Sequence, residues 1–89
     1  MIAPRQVIEM VEAFLNENDC GLFFRRIRVF DLPGGMQLEM QFGESGLYIN
    51  VVENERVLAS ASMQNGFRTY KVAGVILRLL DAVQAAKGA

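Results

Sequence analysis

Residues 36–63 read MQLEMQFGESGLYINVVENERVLASASM, three extended runs divided by two short sets of turn residues. Met36, Leu38, Met40 and Phe42 alternate with Gln37, Glu39 and Gln41, so the Met36–Phe42 run predicts a strand with one buried and one wet face. Leu47 to Glu53 repeats the pattern, with Leu47, Ile49 and Val51 inward against Tyr48, Asn50 and Val52. Arg56 to Met63 supplies the third run. The separators, Gly43-Glu44-Ser45-Gly46 and Asn54-Glu55, fall short of the roughly dozen residues that a parallel crossover needs, so neighbouring strands must run antiparallel.

Upstream, Leu22 to Asp31 is a further run of strand character, joined through the turn residues Leu32-Pro33-Gly34-Gly35. Its alternation is mixed. Inward parity gathers Phe23, Arg25, Ile27 and Val29, and outward parity gathers Phe24, Arg26, Arg28 and Phe30. A bulge near Arg25, or an arginine reaching the sheet rim, accommodates the inward charge. Four such runs in succession form an antiparallel meander.

A helix flanks the meander on each side. In Pro4 to Asn18, Val7, Ile8, Val11, Phe14 and Leu15 fall on one stripe, while Arg5, Glu9, Glu12, Asn16 and Glu17 lie outside it. Pro4 suits the first turn, and Asn18-Asp19-Cys20-Gly21 suits the exit. After Gln64-Asn65-Gly66, a second helix runs from Thr69 or Tyr70 to about Ala86. Its polar stripe, Lys71, Gly74, Arg78, Asp81 and Gln84, is narrow. So wide an apolar arc needs cover on more than one side, from the sheet and then from the first helix or a second subunit. The expected fold is α+β, a two-layer α-β-β-β-β-α arrangement with both helices packed on one face of a four-stranded antiparallel meander, as one compact domain over 1–89.

Composition narrows the function classes. At 89 residues, with 52% hydrophobic and 21% charged content, the chain is not disordered. Nine Lys+Arg against ten Asp+Glu leave a net charge of −1, which provides no global field to attract nucleic acid or an anionic membrane. Cys20 is the single cysteine, so no intramolecular disulfide forms and a reducing, cytoplasmic setting is expected. Pro4, Arg5, Glu9 and Glu12 interrupt any signal-peptide pattern. The longest apolar stretch, Val72 to Val83, is broken by Gly74, Arg78 and Asp81 and falls short of the roughly 20 residues that span a bilayer, so no membrane partner is expected.

Catalytic chemistry is poorly provided for. Histidine is absent, which removes the usual general base, metal ligand and nucleophile partner. Cys20 lies beside Asp19, whose charge disfavours a thiolate, so Cys20 reads as a structural residue. Glu9 with Glu12 and Glu53 with Glu55 read as solvated acids on which nothing else converges. Gly34-Gly35 and the Gly43/Gly46 pair lack the strand-loop-helix context of a phosphate-cradling loop and read as turns. No enzyme activity, catalytic residue, metal site or cofactor is expected.

Two surfaces carry the functional expectation. The first is the outward sheet face, where parity gathers Phe24, Arg26, Arg28, Phe30 and Tyr48 around Gln37, Glu39, Gln41 and Asn50. The second is the last strand, Val57-Leu58-Ala59-Ser60-Ala61-Ser62-Met63, which forms a sheet edge with neither charge nor proline. Natural edges are normally defended by charge, proline or bulges, so an edge of this kind calls for cover, either from the chain's own terminus or its 64–69 loop, or from the same strand of a second copy about a two-fold axis. The leading expectation is therefore a small homodimeric adaptor, chaperone or inhibitor that binds another protein. The alternative is single-stranded nucleic-acid binding, because aromatics interleaved with arginines on an open sheet stack bases and contact phosphate. A third reading, a carrier of apolar small ligands, needs a cavity between sheet and helices with Met36, Met40 and Met63 as pliable lining. The layout is shared by whirly- and PUR-type nucleic-acid binders and by small acidic dimeric chaperones of secretion systems, a likeness of architecture alone.

Overall fold

The computed structural model describes residues 2–18 and 27–88. Helix α1 spans Pro4–Asn18, strand β1 Arg28–Asp31, a 3-10 turn Pro33–Gly35, β2 Met36–Gly43, β3 Gly46–Glu53, β4 Arg56–Met63 and α2 Thr69–Gly88. The strands form one open antiparallel sheet in the order β1-β2-β3-β4. Val7, Val11 and Phe14 of α1 share one core with Leu38, Met40, Ile49 and Val51 of the sheet and Val72, Ile76 and Leu80 of α2. Both helices therefore cover the same face, and the fold is the two-layer α+β meander expected from the turn residues. The β3–β4 turn closes through Asn54 and Glu55, at φ 51° and 65°, the left-handed pair that matches strand twist in a two-residue hairpin.

The two helices run antiparallel. The Phe14 ring stacks on Phe42 of β2, with centroids 5.2 Å apart and planes at 17°. Phe42 in turn meets the edge of Phe67, just before α2, at 5.2 Å and 75°. At the opposite end, Ile2 and Pro4 lie near Leu80, Asp81 and Gln84. The end of α1 thus adjoins the start of α2, and its start adjoins the far half of α2. At 100° per residue, Leu77, Asp81 and Gln84 lie on the α1 side of α2, and Val75, Leu79, Ala82 and Ala86 lie on the other flank, toward β4.

Strand β1 corrects the sequence reading. Its described part is four residues long, and residues 22–26 lie outside the described residues. The parity is the reverse of that expected. Phe30 stands opposite Leu38 and Arg28 opposite Met40, both core residues, so Arg28 and Phe30 face the helices. Ile27 and Val29 face the open side, where they are 52% and 40% exposed. Two physical terms favour this arrangement. A Phe ring buries more apolar surface than Val. The helix-side arginine is also satisfied at the sheet edge: its Nε–H donates to Glu17 Oε2 at 2.8 Å and its Nη2–H to Oε1 at 3.0 Å. The guanidinium carbon also sits 4.7 Å from the Phe30 ring centroid.

A bulge occurs at the other end of the sheet. Val51 pairs with Ala59 and Val52 with Val57, leaving Leu58 as the extra residue of β4. Val52 belongs to the open face, where it was expected to be wet. It is only 4% exposed, set between Gln37 of β2 and Val57 of β4.

Candidate functional site

Strand β4 is an edge. Its ladder to β3 occupies one side, and among the described residues no strand pairs with the other. Ser60 and Ser62 stand on the open face, opposite Asn50 and Tyr48. Ala59, Ala61 and Met63 turn half-buried toward the helices, opposite Val51, Ile49 and Leu47. The expected edge residues Val57 to Met63 are thus all in one strand, with its outer backbone groups available for a ladder. Above that edge, the β4-side flank of α2 presents half-buried Val75 and Leu79 and exposed Ala82 and Ala86. Edge and flank together make one apolar strip.

The expected aromatic and arginine set is not brought together. Phe24 and Arg26 lie outside the described residues. Arg28 and Phe30 face the helices, and Tyr48 alone is on the open face, its hydroxyl 2.5 Å from Ser45 Oγ. The open face carries instead Ile27, Val29, Tyr48 at 42% exposure and Val57 at 54%. The ionised groups on its described strands are Asp31 and Glu39, with no lysine or arginine, and Glu55 borders it beside Gln37. The hydrogen bonds that Arg28 donates to the Glu17 carboxylate, opposed by partial burial, raise the Arg28 pKa above its ordinary value. Arg28 therefore stays charged on the helix side and contributes nothing to the open face.

A third feature escaped the sequence reading. A cleft of about 250 Å³ opens between the start of α1, the Pro33–Gly35 turn and the second half of α2. Leu32 and Leu80 are buried at its floor, half-buried Met36 and Leu77 form walls, and Asp81 and Gln84 stand exposed at the mouth. Of the three expected lining methionines only Met36 lines it. Met40 is fully buried in the core, and Met63 packs against that core. Both prolines of the chain, Pro4 and Pro33, border the cleft. That was the available signal: each proline opens a helical turn within two residues of a large apolar side chain, Ile2 or Leu32.

Among the described residues, no group of three or more His, Cys, Asp or Glu is placed to hold a metal ion, and no helix is long and apolar enough to cross a membrane. Comparison with protein-family models, with curated proteins and with solved structures finds no match to this chain.

Proposed function

We propose that this chain is a non-enzymatic protein-interaction module, working in the cytoplasm as a homodimer that holds another protein as adaptor, chaperone or inhibitor. One observation carries the reading: β4 is a sheet edge whose Val57–Met63 segment has neither charge nor proline, its bulge lying at Leu58 near the start and Ala59–Met63 pairing regularly, and an apolar flank of α2 lies beside it. Pairing β4 with its two-fold copy completes both ladders and brings Val75, Leu79 and Ala82 of the two α2 helices toward each other. The open face then runs continuously across both sheets. Its Ile27, Val29, Tyr48 and Val57, with the acidic Asp31 and Glu39, suit a partner surface that is apolar and basic.

The test is mass by light scattering after size exclusion, at several hundred micromolar. Ser60 is the centre of the Val57–Met63 segment and exposed on the open face, so in a centred antiparallel pairing it meets its own copy. S60K and S60E should each give monomers through like-charge opposition, and mixing the two should restore a dimer. A wild-type protein that stays monomeric at that concentration, or a mixture that stays monomeric, overturns the reading.

A further inference from the structure

We propose that the cleft between α1, the Pro33–Gly35 turn and α2 is a binding site for a small organic cation, an apolar ring or short chain bearing a protonated amine. The size fits such a ligand. An apolar cavity of about 150 Å³ takes up benzene, so about 250 Å³ accommodates a ring or a chain of similar bulk together with one polar head. Leu32, Leu80, Met36 and Leu77 supply the apolar contact, with Met36 able to adapt to ligand shape.

The walls are held before any ligand arrives. The Ala3 N–H donates to Gln6 Oε1 at 3.0 Å, the reciprocal half of a capping box, which fixes the path of Ile2 and Ala3 into α1. The Leu32 N–H donates to the Met36 carbonyl oxygen at 2.9 Å, closing the turn that carries Pro33. Gly34 and Gly35, at φ 82° and 81°, allow that closure. A cleft bordered by two prolines and two locked turns loses little freedom on binding.

The charge at the mouth chooses the ligand. Among the described residues that line the cleft, Asp81 is the only ionisable one; it is exposed, and it forms no ion pair with another described residue. Gln84, one turn along α2 on the same side, offers an amide oxygen as a second acceptor. An apolar floor with a carboxylate and an amide at the rim complements an ammonium head and repels a carboxylate.

The probes are n-hexylamine, hexan-1-ol and hexanoate, each titrated into the 15N-labelled full chain and followed by amide chemical shifts. Hexylamine should give saturable shifts at Leu32, Met36, Leu77, Leu80, Asp81 and Gln84, and should bind about tenfold more tightly than hexanoate, which exchanges attraction for repulsion. In D81N the preference for amine over alcohol should fall below about twofold while alcohol binding is unchanged, and Q84E should strengthen amine binding about threefold. Both substitutions are at exposed positions and leave the core intact. Absence of saturable shifts at these amides, equal binding of amine and hexanoate, or an amine preference that survives D81N overturns the proposal.

Discussion

Replacing Gly46 by alanine tests the placement of β4 most directly, because Gly46 touches the far end of that strand. Gly46 has φ 145°, a backbone conformation that L side chains rarely adopt. A Cβ there would overlap the Met63 carbonyl oxygen and lie 3.0 Å from the Met63 carbonyl carbon and 3.1 Å from Gln64 Cα. These atoms are backbone, so the β3–β4 ladder itself has to open. Strain at such a position costs about 1–3 kcal/mol, and overpacking a rigid contact adds about 1–3 kcal/mol. A total of about 2–6 kcal/mol is a large share of the roughly 4–13 kcal/mol available to a chain of this size. At about 4–8 °C per kcal/mol, Tm should fall by at least about 8 °C. Circular dichroism melts at matched protein concentration provide the assay, since self-association makes Tm concentration-dependent. G34A is the control: φ is 82° but nothing lies within 4 Å of the added Cβ, so it meets only the backbone strain, about 1–2 kcal/mol. A G46A protein that melts within about 2 °C of wild type, or no lower than G34A, would refute the close approach of Gly46 to β4.

Two further substitutions probe other links. Gly74 lies within α2 with nothing within 4 Å of an added Cβ, so G74A should stabilise by about 0.8–1 kcal/mol in urea titrations through helix propensity alone. An R28A/E17A double-mutant cycle should return a coupling of about 0.5–1 kcal/mol, since both side chains are about a third or more exposed and the pair is discounted for solvent screening. Arg28's folded-state pKa is raised, so its contribution is full below the unfolded value and is lost only as pH climbs past the folded one, far into the alkaline range. The coupling should therefore be constant between pH 7 and pH 9, and a decline within that window would contradict the assignment.

Much of this architecture was legible because it follows from short-range rules. The two turns between Met36 and Met63 are too brief for anything except antiparallel neighbours, and β4 begins and ends where its residues predict, at Arg56 and Met63. That β4 is an edge follows from strand order alone. The face assigned to β1 was harder to read, because both of its parities mix apolar and cationic side chains. What decides it is Glu17, eleven residues before Arg28 and on a different element, which removes the penalty of an arginine on the helix side. One sequence signal did point the right way. With Leu32 and Met36 closing the turn about Gly34, counting outward pairs Phe30 with Leu38, a residue whose own alternation puts it inside.

The one-residue difference in parity changes the chemistry of the whole open face. With Arg28 and Phe30 outward, the sheet would present a cation between aromatics, the ingredients of a platform for unpaired bases. With Ile27 and Val29 outward, the described face is apolar and carries Asp31 and Glu39 as its charges, which repel phosphate and attract lysine and arginine. Which side of β1 faces the helices thus sets the sign of the charge on the opposite surface, and Phe30 burial together with the bidentate Arg28–Glu17 pair favours the observed side. The β4 edge is insulated from that choice. Its availability depends on strand order, and exchanging the two faces of β1 three strands away leaves the order β1-β2-β3-β4 unchanged.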